Sequence, residues 1–208
     1  MKIILPSKNE ELHFVPLQLE HFDQVLENRF SEYNSNTTLE ELLSKPRYQQ
    51  LSSLIRANAG YGNYLKTSAA EFLLHLKNTG DDFYKKFLNL YGDESYQKFR
   101  ISRQSPLRSK NYKGLYWFLL KDQPVYLGRC TDWFNRRISN GYGQISPKKC
   151  YTDGNSTNCR INSLIYKNRH INIACKVYCM DNIKDIVDYE SELLKTYPEY
   201  TIWNIQGS

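Results

Sequence analysis

The chain has 208 residues, of which 40% are hydrophobic and 24% are charged, and its formal net charge is +6. This composition is typical of a globular protein and excludes a disordered chain, while no apolar run approaches the ~20 residues that a membrane helix needs. One lysine and three apolar side chains precede Pro6, well short of the apolar segment of a secretory signal. We therefore expect a cytoplasmic protein with no membrane partner.

Positive charge is concentrated in the middle of the chain. Residues 101–180 hold 14 Lys and Arg against 3 Asp and Glu, whereas residues 1–100 hold 12 against 13. A local excess of this size favours a polyanion as partner, because binding releases the counterions that the polyanion holds. A solvated basic face is the alternative interpretation.

The first half of the chain predicts helices after short extended stretches near residues 3–5 and 13–15. Thr38 with Glu41, and Ser68 with Glu71, have the spacing of capping boxes, and apolar side chains follow each pair at helical intervals. Residues 1–105 are therefore predicted to form a mainly helical accessory module. A basic, serine-bearing stretch broken by Pro106 indicates a boundary, so a second domain is expected over residues 106–208.

The second half changes to strand patterning. An apolar and aromatic run over residues 115–120 and a second short strand over 125–128 predict a β-hairpin. Asp132 is expected to cap a helix that ends near residue 140, and residues 139–158 are expected to form a long loop. A short helix, a third strand and a last helix over 183–196 follow, so the expected fold class is α/β of the α+β type.

The cysteines favour reduced thiols. Their odd number argues against a disulfide framework. They are Cys130, Cys150, Cys159, Cys175 and Cys179. Their spacings do not match the usual zinc knuckles, and the last two fall in an alternating apolar strand, so buried thiols are the favoured interpretation and a zinc site is the open alternative.

Five spaced elements stand out in the second half. They are Gly114-Leu115-Tyr116, Tyr126-Leu127-Gly128, Arg136, a helical Glu190 and a late Asn204. Their order and spacing resemble those of the GIY-YIG endonuclease superfamily over residues 112–205, with leucine in place of isoleucine in both tripeptides. The resemblance implies a nuclease domain over residues 106–208, with a small three-stranded antiparallel sheet flanked by helices.

The resemblance also implies roles in phosphodiester hydrolysis. Glu190 would hold one Mg²⁺ ion, with Mn²⁺ as a substitute, since hard divalent cations favour carboxylate oxygen. Glu192 is the rival metal ligand. Arg136 would bind the scissile phosphate through its planar fork of donors.

Tyr116 would deprotonate or orient the attacking water, with Tyr126 beside it, and Asn204 would orient Tyr116 or the water by hydrogen bonding. A free tyrosine has a pKa of about 10, so a base role requires neighbouring cations to lower that pKa. Some family members carry a histidine near the helix that bears the arginine. The predicted helix contains none, so an accessory base role falls back on Tyr116.

The candidate DNA contacts lie mostly in the expected loop. We interpret residues 139–162 as a DNA-contacting insertion, which resembles one in restriction-type members of the family. Arg and Asn read purine edges while Lys follows the phosphates. The candidate residues are Arg137, Tyr142, Lys148, Lys149, Arg160 and Asn162. An ordered loop that only packs on the domain is the alternative.

These features together predict a Mg²⁺-dependent, sequence-specific endonuclease for double-stranded DNA, of the type II restriction kind, with residues 1–105 helping to recognise sequence. Cleavage of both strands with one active site per chain implies a homodimer or higher oligomer on DNA. A structure-specific repair or recombination nuclease, or a homing-type nuclease, would share every catalytic residue. A non-catalytic DNA-binding protein is the alternative of another class, and the recognition sequence and cleavage stagger stay open.

Overall fold

The structure is a computed structural model that describes residues 1–109 and 111–205. It combines α-helices with antiparallel sheets, which confirms the α+β class. Within these residues, no helix is both long and apolar enough to cross a membrane. Lys110 of the expected linker and residues 206–208 of the expected second domain lie outside the described residues.

In the described part of the chain, eight β-strands and six α-helices are present. The strands are β1 Lys2–Leu5, β2 Glu10–His13, β3 Val15–Leu17, β4 Leu19–Leu26, β5 Tyr96–Ile101, β6 Gly114–Leu120, β7 Gln123–Cys130 and β8 Ile173–Cys179. The α-helices are α1 Leu39–Leu43, α2 Gln49–Ala57, α3 Ala59–Gly62, α4 Ala69–Asn78, α5 Ser156–Lys167 and α6 Ile183–Thr196. Short 3₁₀-helices cover Arg29–Glu32, Pro46–Tyr48, Asp82–Phe87, Pro106–Arg108, Pro147–Cys150 and Pro198–Tyr200, and a π-helix covers Asn135–Tyr142.

The chain folds into two compact units, and each unit is made of segments that are distant in sequence. Unit 1 comprises residues 1–24, 97–144 and 164–208, and unit 2 comprises residues 25–96 and 145–163. This division differs from the single boundary expected near residue 106. The first strands belong with the C-terminal half of the chain, which a local composition change does not reveal.

Unit 1 is built on a four-stranded antiparallel sheet in the order β3-β8-β6-β7. The expected sheet had three strands, and the additional strand is β3. It pairs with β8 through Val15 opposite Val177 and Leu17 opposite Cys175. The sheet therefore recruits a strand from the opposite end of the chain.

The N-terminal residues form strands over a longer stretch than expected. β1 and β2 pair as an antiparallel hairpin, and the alternating side chains Ile3, Leu5 and Leu12 are buried. Burial at every second residue is the period of a strand with one face on a core. The helical part of the N-terminal half accordingly begins after β4.

The expected hairpin of β6 and β7 is confirmed, with Leu120 opposite Gln123. The two residues between them, Lys121 and Asp122, have φ values of 48° and 66°. Two successive positive φ values define a type I′ turn, whose twist matches that of the hairpin strands. A β-bulge follows beside Pro124, which has no N–H to donate to the ladder.

Helix α6 covers one face of the sheet. Trp117, Leu119 and Leu127 from the sheet are fully buried with Ile186 and Leu193 from the helix. Successive side chains of a strand point to opposite faces. The alternate residues of β6 and β7 therefore line the opposite face, where the candidate site lies.

Unit 2 is mainly helical and has a core of its own. The capping box at Thr38 is confirmed, because its side chain accepts from the Glu41 N–H and the Glu41 side chain accepts from the Thr38 N–H. Ser68 likewise accepts a hydrogen bond from the Glu71 N–H at 3.4 Å. Both helices thus begin where the sequence predicts.

The expectation of a long loop over residues 139–158 is wrong. The π-helix, the 3₁₀-helix Pro147–Cys150 and the start of α5 occupy most of this stretch. Its Gly, Asn and Ser content favoured a loop, but tertiary hydrogen bonds order it. One example is the Asn89 side chain, which donates to the backbone carbonyls of Lys149 and Tyr151.

All five cysteines are free thiols, and four of them are buried while Cys179 is exposed. The buried-thiol interpretation is therefore confirmed for four. Within residues 1–109 and 111–205, no three or more His, Cys, Asp or Glu side chains are grouped so that they could hold a metal ion.

Candidate active site

Tyr116 and Gly128 lie opposite each other in the hairpin. A side chain has no room at position 128, because a Cβ atom there would lie 2.3 Å from the Tyr116 hydroxyl oxygen. The glycine of the second tripeptide therefore allows the Tyr116 ring to lie over the neighbouring strand.

The glycine of the first tripeptide meets a different constraint. Gly114 has a φ of +140°, and a Cβ atom there would lie 2.0 Å from the Tyr178 carbonyl oxygen. Only glycine adopts such a conformation without strain. Gly114 thus admits the β8 backbone, whereas Gly128 admits the Tyr116 ring.

Three tyrosine hydroxyls meet beside this pair of strands. The Tyr142 hydroxyl lies 2.7 Å from that of Tyr116 and 3.1 Å from that of Tyr126. All three side chains are buried. We call Tyr116, Tyr126 and Tyr142 the tyrosine cluster, and its centre is Tyr142, which the sequence interpretation assigned to DNA contact.

The π-helix explains why Tyr142 reaches the cluster. Its Gly143 N–H donates to the Ile138 carbonyl at 2.7 Å, five residues back. A turn of this size brings residues five apart together, whereas an α-helix aligns residues three or four apart. Arg137 and Tyr142 therefore share one side of the helix, and the guanidinium lies 4.9 Å from the Tyr142 ring centre.

The structure places Arg137, and not Arg136, in the tyrosine cluster. Arg137 is half-buried, and its Nε donates to the Tyr116 hydroxyl at 3.1 Å. The Arg136 side chain is 69% exposed and pairs with Asp132 at 3.3 Å. Of the two neighbours, the π-helical turn therefore directs position 137 towards the tyrosine hydroxyls and leaves position 136 at the surface.

Burial raises the pKa of Tyr116 well above its ordinary value, the neighbouring Tyr126 adds to this, and the Arg137 guanidinium opposes it. Burial likewise raises the pKa of Tyr142. Both phenols are therefore neutral near pH 7 in this arrangement. A neutral phenol donates a hydrogen bond and accepts another, so the structure fits an orienting role for Tyr116 better than deprotonation of water.

Glu190 projects from α6 towards the edge strand β7. Its carboxylate pairs with the Arg129 guanidinium. Burial raises the pKa of Glu190, and the guanidinium groups of Arg129 and Arg137 oppose that increase. The Arg137 guanidinium thus lowers the pKa of both Glu190 and Tyr116.

The rival carboxylate has another partner. Glu192 accepts from the Ser7 backbone N–H at 2.7 Å and from the Ser7 hydroxyl at 2.6 Å. Side chains two residues apart in an α-helix point to nearly opposite sides. Glu192 therefore holds the β1–β2 hairpin, while Glu190 points to the site.

Asn204 is placed differently from its expected role. Its side-chain oxygen accepts from the Leu127 N–H at 3.1 Å, and its amide donates to the Leu127 carbonyl at 2.8 Å. Both groups are thus used on the backbone of β7, and the Trp203 N–H donates to Val125 on the same strand at 2.8 Å. Asn204 closes the open edge of β7 beside the position where Glu190 binds Arg129.

The remaining candidate DNA contacts lie in unit 2. Arg160 and Asn162 are buried at 7% and 1% exposure, which does not agree with direct contact to DNA. The start of α5 turns both side chains inward, where the sequence indicated a loop. Lys148 is exposed and Lys149 is half-buried, so these two keep access to solvent.

Glu190 is the carboxylate expected to bind a divalent metal ion at this site. Mg²⁺ is commonly bound through one or two carboxylates, with water and substrate phosphate completing its octahedral shell. The half-buried carboxylate of Glu190 fits that chemistry. Sequence reasoning missed Arg129 as the partner of Glu190, because the two residues are 61 positions apart.

No family model, curated protein or solved structure gives a significant match to this chain. The functional interpretation therefore depends on the geometry of the site.

Proposed function

We propose that the protein is a divalent-metal-dependent endonuclease of the GIY-YIG type that hydrolyses phosphodiester bonds in double-stranded DNA. The observation that carries this proposal is that Tyr116 and Tyr126 meet in the buried tyrosine cluster and that Arg137 donates to the Tyr116 hydroxyl. The Tyr116 ring fits there only because position 128 is glycine. Both tripeptides thus contribute to one site, as a nuclease of this type requires.

Arg137 is the proposed ligand of the scissile phosphate. Its guanidinium is always charged, and its Nε donates to the neutral phenol of Tyr116 rather than to a carboxylate. A partly buried cation with a neutral partner favours an anion, and charge-assisted bonds to phosphate are stronger than neutral ones. Arg137 would therefore hold the phosphate next to Tyr116.

Tyr116 is proposed to orient the attacking water. Its hydroxyl is held by Tyr142 on one side and by Arg137 on the other. Both contacts fix the Tyr116 hydroxyl before the substrate binds. Such preorganisation accelerates a reaction because the groups of the site need not move when the water attacks.

Glu190 is the proposed ligand of one Mg²⁺ ion, for which Mn²⁺ would substitute. When bound, such an ion neutralises charge that develops on the phosphate and the leaving oxygen. Asn204 is a positioning residue that fixes β7, the strand that carries Arg129, whose guanidinium pairs with Glu190.

Double-stranded DNA is the proposed partner because the positive charge lies in the segment that carries the site. Residues 97–144 hold ten Lys and Arg and two Asp and Glu. We keep the type II restriction role, with a homodimer or higher oligomer on DNA, as the specific form of this proposal. A cytoplasmic location agrees with five free thiols, which persist in a reducing compartment.

Incubation of supercoiled plasmid with Mg²⁺ tests the proposal. Wild type should cleave it, EDTA should stop the reaction, and Arg137→Ala should lower the rate at least ~100-fold. Arg136→Ala is the matched control and should keep most of the activity. Loss of activity in Arg136→Ala with retention in Arg137→Ala would contradict the geometric assignment.

The same preparation distinguishes the kinds of nuclease. Discrete bands from linear duplex support restriction, whereas preference for branched duplexes of the same sequence supports a repair or recombination role. Binding of duplex without any cleavage, under Mg²⁺ or Mn²⁺, would refute the enzyme and favour a DNA-binding protein.

A further inference from the structure

Arg129 lies directly after Gly128 on β7, and its guanidinium pairs with one carboxylate oxygen of Glu190. The side chain of Arg129 is 48% exposed, while that of Glu190 is 13% exposed. The guanidinium that covers the carboxylate therefore faces solvent. This contact can be exchanged without moving the strand, because only the side chain of Arg129 makes it.

A divalent cation and a guanidinium compete for the same carboxylate. Their charges repel each other at the short distances that a shared ligand imposes. A ligand for Mg²⁺ must also present its oxygen to a compact octahedral shell. In the protein alone the guanidinium pairs with one of the two carboxylate oxygens. A metal ion on either oxygen would lie close to this cation, so loading of Glu190 with metal favours its departure.

We propose that Arg129 exchanges partners as the site is loaded, pairing with Glu190 in the protein alone and moving to a phosphate of the DNA when the carboxylate takes the metal. This inference rests on the proposed function, since it uses Glu190 as the metal ligand. The planar fork of a guanidinium matches carboxylate and phosphate equally well. Its exposed position on the edge strand leaves it free to turn outward.

The exchange couples the two ligands. DNA draws the Arg129 guanidinium away from Glu190, which leaves the carboxylate to the metal. The metal in turn releases the guanidinium for a phosphate of the DNA. Coupling of this kind is reciprocal, so each ligand tightens the binding of the other by the same factor. If Arg129 exchanges partners, its removal strengthens metal binding by Glu190. If Arg129 only holds Glu190 in place, its removal weakens metal binding.

Mn²⁺ binding to the protein without DNA separates these two roles. Electron paramagnetic resonance at about pH 8 counts free Mn²⁺ directly and needs no catalytic turnover. Arg129→Ala should bind Mn²⁺ about tenfold more tightly than wild type, because a repelling charge is gone. Lys184→Ala is the matched control: it removes the cation of another α6 pair, Lys184–Asp188 at 2.6 Å, and should leave the affinity unchanged.

The DNA half of the exchange is measured by the salt dependence of duplex binding, with Ca²⁺ in place of Mg²⁺ and uncut DNA verified on gels. With Ca²⁺ present, wild type should show a salt slope larger than that of Arg129→Ala by about one phosphate contact. In EDTA the two slopes should agree, because Arg129 then stays on Glu190.

The outcomes are distinct. Unchanged or weaker Mn²⁺ binding in Arg129→Ala, with a melting temperature like that of wild type, overturns the exchange and leaves the proposed function intact. Equal Mn²⁺ binding in wild type and Glu190→Ala overturns the metal site itself, and the proposed function with it. Equal salt slopes in Ca²⁺ contradict the transfer of Arg129 to phosphate.

Discussion

The tyrosine cluster makes a quantitative prediction about Tyr142→Phe. This change removes the hydroxyl that contacts those of Tyr116 and Tyr126. Tyr116 keeps its bond with Arg137, but the Tyr126 hydroxyl, on a side chain that is 5% exposed, loses its partner. One buried and unsatisfied hydroxyl costs about 1–3 kcal/mol, so we expect the free energy of unfolding to fall by about 2 kcal/mol.

A double variant separates this cause from a general packing effect. Tyr126→Phe on its own leaves Tyr142 bonded to Tyr116 and should cost about 1 kcal/mol or less. Tyr126→Phe with Tyr142→Phe removes both partners of one hydrogen bond, and replacing both by apolar groups is nearly neutral. The double variant should therefore be more stable than the sum of the single effects by about 1–2 kcal/mol.

Urea unfolding followed by tryptophan fluorescence is the appropriate assay. The tryptophans are Trp117, Trp133 and Trp203, and all lie in unit 1 with the cluster. The midpoint and slope of each curve give the change in stability. Strictly additive effects would refute the account of Tyr142 as the shared partner, because the three side chains would then act independently.

Three further predictions concern single positions. Burial raises the pKa of Glu190, so the contribution of this residue to stability is present below about pH 4 and is lost as the pH rises through the raised value. Glu190→Gln should therefore have the melting temperature of wild type at about pH 4 and a higher one at neutral pH. A melting temperature below that of wild type at neutral pH would contradict this. Gly128→Ala forces a Cβ atom to within 2.3 Å of the Tyr116 hydroxyl and should lower the stability by about 1–3 kcal/mol in thermal melts, whereas Gly62→Ala, with nothing within 4 Å of its Cβ position, should not. Native protein should react rapidly with a thiol reagent at Cys179 alone, and rapid reaction of a second thiol would contradict the burial of the other four.

Local patterns were sufficient for several elements. The alternation and turn composition around residues 115–128 predicted the hairpin, and Thr38 with Glu41 predicted the start of α1, because these features depend on residues close together in the chain. The motif tyrosines Tyr116 and Tyr126 were also chosen from the sequence, through the resemblance, and the structure brings their rings together. Distant pairing was not accessible in this way, and β3 joined the sheet without a local signal.

The π-helix had the largest effect on the interpretation of the site. The resemblance assigned Arg136 to the phosphate, and the Gly, Asn and Ser content left Tyr142 in a loop. The π-helix instead places Arg137 and Tyr142 in contact on one side. The backbone bonds that hold this turn run to β5, where the Phe99 N–H donates to the Gly143 carbonyl. A contact between residues 44 positions apart is not encoded in any local period.

The amino-acid sequence by itself therefore determined which residue types are available to the site and in which order they occur, since glycine, tyrosine, arginine and glutamate each have a chemistry that does not depend on the fold. The tertiary structure alone decided which arginine faces the tyrosines, that Asn204 is used on the β7 backbone, and that Arg129 covers Glu190. The reason is physical: side-chain direction depends on the helical turn, on strand register and on burial, and all three are set by contacts between segments far apart in the chain.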